Sequence, residues 1–362
     1  MSIYNPSILV DAQVKFQQGM MAGEWRLPDT AVLSTMANGE MTNPALAVIR
    51  RLESQTPKAY LPIRKASSNG TVRAHNHTGN SGDSKEVDVS WQTYTETFGI
   101  NLDRGLNNVF SFQEQYNADL RSCILNLLER HEVNVLTKLK AEYTQINKGR
   151  ILGGTFNPTS YQMLVDPAKK DYFFQGIKTS MANNLYRNDI MVIADSLAYQ
   201  QYLFQTAQGT GNATNMAPML NGLRVSNTTY EIDGDLEGSA IAFSMGQCGI
   251  VPWIPIKNRK PLDPDAAMNS VIGSFGSFQV PVYDNMGNVV YNLDFAISAY
   301  SARADKSLAG GSTQDTQMEI EVSLDVAFVQ APLSAARATG DWTGKTDTVI
   351  YGFGIGTTGT QS

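Results

Sequence analysis

Charge is scarce in this chain. Asp, Glu, Lys and Arg together make up 17% of its 362 residues, against roughly 25% in an ordinary soluble domain. What charge there is sums to -6, with no basic excess, which excludes a dedicated nucleic-acid binder on electrostatic grounds. Cysteine is nearly absent. Cys123 and Cys248 fit no metal-ligand spacing and read as free thiols in a reducing compartment. With three histidines in all, a Ser-His-Asp or Cys-His site would have to use His131 or the His75 and His77 pair. No apolar run approaches the roughly 20 residues that span a membrane as a helix. The opening MSIYNPSILVDAQ has no basic start and no long apolar core, so it reads as no secretory signal and predicts synthesis in a cytosol.

Neutral polar residues fill the gap, with 26 Asn and 20 Gln. Interface cores are depleted in Lys, Glu and Asp, so a soluble chain this low in charge predicts extensive surface buried in assembly. The length allows about two domains and a sizeable core.

The dominant pattern is one amphipathic helix from Phe112 to Asn147, about 54 Å long at 1.5 Å per residue. Phe112, Tyr116, Leu120, Ile124, Leu127, His131, Val135, Leu139, Tyr143 and Ile146 form a continuous stripe at three- and four-residue steps. Ser111 and Glu114 fit the S-x-x-E capping box, and Gly149 is the stop. A compact domain of 150 residues is only about 40 Å across. Such a helix must act as a spine, 111–147, tying separate regions together.

Residues 1–56 read as an N-terminal arm, with short amphipathic pieces at Ile8–Met21 and Pro44–Leu52. Residues 57–100 read as one very long hairpin. Val87, Val89, Trp91, Thr93, Thr95 and Thr97 alternate with Glu86, Asp88, Ser90, Gln92 and Glu96, while Pro57 and Pro62 make the outgoing strand an edge. The tip, Ser67–Lys85, is rich in Ser, Asn, Gly and His and predicts a flexible loop. A lone hairpin is marginal in water, so it is expected to lie on a neighbouring subunit.

Beyond the spine, Pro167–Tyr186 predicts a helix, Asp189–Ala194 a buried strand and Leu197–Thr206 an amphipathic helix. A loose loop, Gln208–Asn215, and strands at Leu223–Val225 and Ser239–Met245 complete a compact α/β block. From Phe278 the pattern is antiparallel. Phe278–Tyr283 meets Val289–Ala299 across a DNMGN turn, with Val289, Tyr291, Leu293, Phe295 and Ile297 on one face. A polar loop, Ser301–Asp315, leads to a strand in which Met318, Ile320, Val322, Leu324, Val326 and Phe328 meet a core. Glu319, Glu321, Ser323 and Asp325 meet solvent. The segment from Ala331 reads as an extended tail.

Arm, hairpin, spine helix, α/β block and returning antiparallel strands, in that order, resemble the major capsid protein of tailed bacteriophages, whose fold encapsulin shells share. The likeness covers roughly residues 50–330. It is closest in NDIMVIADSLAYQQYL, LNGLRVSNTTYE and GSAIAFSMGQCGIVPW, which look like that family's apical domain, where a buried strand, a helix and a G-x-x-V strand recur. The resemblance implies an α+β fold divided as follows. Residues 1–56 are an arm, 57–100 an extended hairpin (E-loop), 101–186 with 276–330 a peripheral domain carrying the spine, 187–275 an axial α/β domain and 331–362 a C-terminal tail. It also implies a structural, non-enzymatic subunit that forms hexamers and pentamers of an icosahedral shell around double-stranded phage DNA. That DNA would be touched without sequence preference on the inner face. Portal, scaffolding or decoration proteins are the further partners, the host bacterial cytoplasm the place of assembly and the virion capsid the destination. No charged coiled-coil segment precedes the hairpin, and the tail exceeds what the basic fold requires. An encapsulin-type compartment and, from another class, a soluble two-domain hydrolase are the alternatives.

No catalytic, cofactor-binding or metal-binding residue is assigned. Gly340-Asp-Trp-Thr-Gly344-Lys345-Thr346 has three residues between its glycines where a phosphate loop needs four, and DTVIYGFGIG supplies no helix after it. Gly354-Ile-Gly356-Thr-Thr-Gly359 satisfies GxGxxG but reads as tail. Asp233-Gly-Asp235-Leu-Glu237-Gly238 resembles the opening of a calcium loop, yet its twelfth position is Ser244, so an acidic turn is expected. His75 and His77 have no third ligand, and His131 on the stripe reads as a hydrogen-bonded interface or core histidine. Asn69, Asn76 and Asn227 head glycosylation sequons that mean little without a secretory signal. Family members that cross-link use a hairpin lysine and a neighbour's asparagine. Lys65 and Lys85 border the tip here, but no local motif marks either, so non-covalent assembly is expected.

Overall fold

The computed structural model describes residues 14–15, 18–19, 28–38, 48–49, 52–63, 83–101, 112–142, 151–183, 189–211, 220, 222–259, 275–283, 288–308, 311–331 and 349–357. In chain order the elements are α1 (Ala31–Asn38), β1 (Lys58–Ile63), β2 (Asp83–Asp88), β3 (Ser90–Asn101) and α2 (Phe112–Ala141). Then come β4 (Gly154–Asn157), β5 (Gln162–Val165), a 3-10 turn (Pro167–Tyr172), α3 (Phe173–Asn183), β6 (Ile190–Asp195) and α4 (Ser196–Gly211). The remainder are β7 (Leu223–Thr228), β8 (Ser239–Ser244), β9 (Cys248–Trp253), β10 (Phe275–Tyr283), β11 (Val289–Leu308), β12 (Gly311–Gln330) and β13 (Tyr351–Ile355). The α+β class expected from the sequence holds.

The long helix is real and shorter than its periodicity suggests. α2 has 30 residues, about 45 Å at 1.5 Å per residue. Residues 143–150 and the Ser111 cap lie outside the described residues. No glycine or proline interrupts α2, Glu114 stands in its first turn and Lys138 and Lys140 in its last, which complements the helix dipole. Tyr116, Leu120, Ile124, Leu127, His131, Val135 and Leu139 are all buried, as the stripe required. α2 runs antiparallel to β3: Lys138 Nζ donates to Ser90 Oγ at 3.1 Å, Tyr94 lies 5.4 Å from the His131 ring and Phe98 5.5 Å from the Tyr116 ring.

The hairpin expectation is corrected. Only β1 and β2 form a two-stranded sheet, in register from Lys58↔Asp88 to Ile63↔Asp83. β3 leaves it and pairs with β12, in a sheet ordered β10-β11-β12-β3 with β9 added alongside β12. The inward face of β3 also differs: Tyr94 and Phe98 face α2, while Thr93, Thr95 and Thr97 are exposed. Threonine favours strands without favouring burial, so its alternation marked the strand and not the core side. The base of the hairpin packs on its own chain. Ala59, Leu61, Val87 and Val89 join Ile49, Leu52, Trp91, Val251, Ala327 and Val329 on the sheet face opposite α2. Trp91 Nε1 donates to Thr56 O at 2.7 Å and Trp253 Nε1 to Leu52 O at 3.0 Å, which straps residues 52–56 over that face. Asp325 is therefore buried rather than solvated and accepts from Thr93 Oγ1 and Gln55 Nε2.

β10 and β11 pair as expected, with Val280↔Leu293 in register, though Val289 is exposed. The expected loop at Ser301–Asp315 is instead strand. β11 and β12 are 20 residues each and pair to Leu308↔Gly311, a reach of about 66 Å at 3.3 Å per residue. The sequence of this ribbon has no apolar alternation, so nothing in it announced a strand.

The second sheet, ordered β4-β5-β13-β8-β6-β7, corrects the tail expectation. β13 lies in its interior, parallel to β5 and antiparallel to β8. Its glycines permit close packing: a Cβ on Gly354 would lie 2.4 Å from Leu236 Cδ1, and one on Gly356 2.7 Å from Leu236 Cδ2. β6 and β8 are buried throughout. Met191, Ile193, Ile241 and Phe243 face the core of α1 and α2, while Ile190, Val192, Ala194, Ala240 and Ala242 face α3 and α4. A continuous apolar run is what burial on both faces demands. The predicted helix at Pro167–Tyr186 resolves into the 3-10 turn and α3, with residues 184–188 outside the described set. The expected loop at Gln208–Asn215 begins as helix through Gly211, and residues 212–219 lie outside.

The largest correction concerns the N-terminal arm. α1 sits in the main core, with Val32, Leu33 and Met36 fully buried. A helix leaves its first amides without partners. Here Ala31 N donates to Asp29 Oδ1 at 3.0 Å, and Val32 N and Leu33 N donate to Glu132 Oε1 and Oε2 at 2.7 and 3.0 Å. Asp29 Oδ2 also accepts from Thr228 Oγ1 at 3.0 Å and Thr229 N at 2.6 Å. One helix end thus joins α2 to β7. Replacing Glu132 by Leu strands two buried amides, and urea unfolding is expected to register a loss of about 2–4 kcal/mol. The exposed neighbour Glu129→Leu should stay within about 0.5 kcal/mol. Equal losses would remove this cap from the folding account.

Candidate assembly interface

α4 is fixed to its neighbours by polar bonds and still carries exposed apolar side chains. Asp195 Oδ1 accepts from Ala198 N at 2.8 Å and its Oδ2 from Ser239 N at 2.6 Å, which caps α4 and ties it to β8. Burial pushes the Asp195 carboxyl up, against these bonds. Gln205 Nε2 donates to Asp171 O at 2.9 Å, and Gln201 Nε2 to Asp171 Oδ1 at 3.0 Å, so the 3-10 turn holds the helix flank. Beyond these bonds Leu197 is 56% exposed, Leu203 50% and Phe204 51%. Leu197 and Phe204 are two helical turns apart and share a face.

Two further surfaces carry open backbone or side-chain partners. Among the described residues β3 is the edge of its sheet. Beside it an open groove of about 460 Å³ is lined by Glu96, Asn126, Glu129, Arg130, Val133 and Asn134, with Arg130 Nη1 2.8 Å from Glu96 Oε1. On the hairpin base, Tyr60 is 63% exposed beside the Lys58–Glu86 pair, and Tyr60 Oη donates to Glu86 Oε2 at 3.1 Å. The hydrogen bond to Glu86 raises the Lys58 ammonium, and the same bond lowers the Glu86 carboxyl.

The residues singled out from sequence do not converge. Cys123 and Cys248 are free, buried thiols in the main core, and burial raises both. His131 is a core residue, but neither ring nitrogen has a hydrogen-bond partner, which corrects the expectation of a bonded histidine. Burial alone lowers its pKa to about 3. Asp233 and Asp235 lie in a turn, and Asp235 N donates to Asp233 Oδ1 at 3.3 Å. Gly354 and Gly356 belong to β13 and its exit. His75, His77, Lys65, Asn69, Asn76 and Gly340–Thr346 lie outside the described residues. Lys85 is in β2, and Asn227 in β7. Among the described residues, no group of three or more His, Cys, Asp or Glu converges, and no helix is long and apolar enough to cross a membrane.

Sequence reasoning missed Glu132. Its spacing from Leu128 and Leu136, four residues either way, places it on the buried face and was the available signal. Burial raises its carboxyl well above the usual range, and the two α1 amides oppose that rise.

No family model and no curated protein matches the chain. Solved structures resemble it in fold over most of its length. A chain from Mycobacterium phage Adephagia aligns at a TM-score of 0.46 and 9% identity, covering 92% of each chain. A chain from the capsid structure of the cyanophage P-SCSP1u aligns at 0.43 and 11%, covering 84% of each. One from Mycobacterium phage Che8 aligns at 0.42 and 10%, covering 84% of this chain and 87% of that one.

The two buried neighbours on α2 set opposite pH dependences. An unfolded histidine takes its proton near 6.5, the folded His131 only near 3, so stability is full above pH 6.5 and drains as pH falls through that window. Glu132 has a raised folded pKa, so its protonation favours the fold increasingly as pH falls toward 4.5, and that contribution is full and constant below 4.5. His131→Leu should therefore flatten the acid loss by about 1 kcal/mol per pH unit between pH 4.5 and pH 3. Urea unfolding of both proteins across that range checks it, and parallel curves would refute the buried neutral imidazole.

Proposed function

We propose that this chain is the structural subunit of a self-assembling shell of the tailed-phage major capsid type, forming hexamers and pentamers around double-stranded DNA. The observation that carries the reading is the order of elements within one chain. A two-stranded hairpin precedes a 30-residue helix laid on an antiparallel sheet, and a six-stranded α/β unit follows. In this reading α2 and its sheet form the peripheral plate, and the sheet of β4–β8 with β13 forms the axial unit. The exposed side of the β1–β2 hairpin, where Tyr60 stands, meets a neighbour, and no step of chemistry is required.

The outer face of α4 fits such a lattice. Leu197, Leu203 and Phe204 are uncharged, held on a helix pinned by Asp195 and Gln205, and exposed in a single copy. Exposed apolar clusters of this kind are covered in assemblies. The low charge, 17% of residues, lets many such contacts desolvate without stranding ions. Weak contacts then add through multivalency. Assembly in a bacterial cytoplasm and residence in the virion belong to the same reading. Portal, scaffolding and decoration proteins are its further partners.

Electron microscopy of the purified chain tests this directly: closed shells are expected, and a uniform small oligomer would overturn the proposal. Protein cargo in place of DNA inside the particles would favour an enzyme-holding compartment. The paired substitution Leu203→Asp and Phe204→Asp should leave circular dichroism unchanged and shift sedimentation from shells to small species. Undiminished shells from that variant would remove α4 from the interface.

A further inference from the structure

We propose that one calcium ion binds at the end of the six-stranded sheet, between the β4–β5 turn and the Asp233–Glu237 loop. This site is independent of the shell reading. The turn is held by Asn157 Oδ1, which accepts from Thr159 N at 2.9 Å and Ser160 N at 3.4 Å. Tyr161 follows at φ 56°, a left-handed conformation that redirects the chain into β5. The facing loop is pinned to β13: Glu237 N donates to Ile355 O at 2.9 Å, and Leu236 N to Asp233 O at 3.4 Å. Between the two lies a cavity of about 10 Å³, lined by Asn157, Ser160, Gln162, Asp233, Asp235 and Thr357 among others. That is room for one water-sized occupant.

Two oxygens of that lining are orphaned. Gln162 is only 3% exposed, and its Oε1 has no hydrogen-bond partner; the buried Ser160 Oγ has none either. Buried polar atoms are rarely left so. Asp233 and Asp235 share the lining with Leu164, Leu236 and Thr357, and no lysine or arginine lines the cavity. An all-oxygen donor set with two carboxylates suits a hard cation and offers nothing to zinc or copper. Amide, hydroxyl and carboxylate oxygens from separate, irregular segments suit calcium, whose shell is flexible, better than magnesium, which demands a tight octahedron. The D-G-D-L-E opening resembles a calcium loop that fails at its twelfth position because Ser244 ends β8. Here the β4–β5 turn supplies the remaining oxygens instead. With two carboxylates rather than three or four, binding belongs to the weak class, with Kd about 10⁻⁴–10⁻³ M.

Isothermal titration of the EDTA-stripped full chain with calcium chloride is the test. One saturable site per chain is expected, with half-saturation in the range given above. Asp235 is exposed, so Asp235→Asn is expected to keep the fold, checked by circular dichroism, and to weaken calcium binding at least ~10-fold. Gln162→Leu, which removes the buried oxygen, should weaken it as well. No saturable binding up to about 10 mM calcium would mean that water fills the cavity, and the proposal would fall. Binding unchanged in both variants would likewise place the ion elsewhere. Equal affinity for magnesium would overturn the assignment to calcium.

Discussion

The architecture depends on how the N-terminus of an eight-residue helix is satisfied inside a core. α1 packs among α2 and strands of both sheets, where water cannot serve its first amides. Two carboxylates take that role. Asp29 comes from the chain just before the helix, and Glu132 from the middle of α2, a hundred residues on in sequence. The helix dipole favours both, while their mutual repulsion and burial work against ionisation at Glu132. With Thr228 and Thr229 also bound to Asp29, one helix end fixes the relation of the long helix to the second sheet.

The two sheets are further joined by the turn between β8 and β9, whose two strands pair in different sheets. β8 belongs to the six-stranded sheet, and β9, after the turn at Gly246, pairs with β12 from Trp253↔Asp325 to Cys248↔Gln330. β11 holds the same side of β12 up to Ser323, so β9 continues where β11 leaves off. This arrangement buries Asp325, Ala327 and Val329 on the face opposite α2.

Legibility in the sequence followed the physics of each segment. α2 was readable because thirty residues without glycine or proline leave a periodic stripe. β6 was readable because burial on both faces demands an unbroken apolar run. α1 was not: AVLSTMAN is short and buried on several sides, and Ser34 and Thr35 hide their polarity by donating to Ala31 O. β13 was missed because the glycines that admit Leu236 also resemble a linker. At the proposed interface, the apolar spacing of Leu197 and Phe204 could be read, but which helix face the fold would leave open could not. The oxygens around Gln162 come from segments separated by up to two hundred residues. Only the Asp233–Asp235 portion left a local trace.

The position of β13 also governs when this molecule can come into being. The strand farthest along the described chain lies between β5 and β8, so their sheet has no complete interior until it arrives. At typical ribosomal rates the stretch from Ser244 to Tyr351 takes roughly 5–20 s to emerge, during which the facing edges of β5 and β8 wait unpaired. A nascent chain halted anywhere before Ile355 would lack the central rung and could not present the finished α/β unit. Completeness of translation is thereby written into the surface that a finished subunit displays.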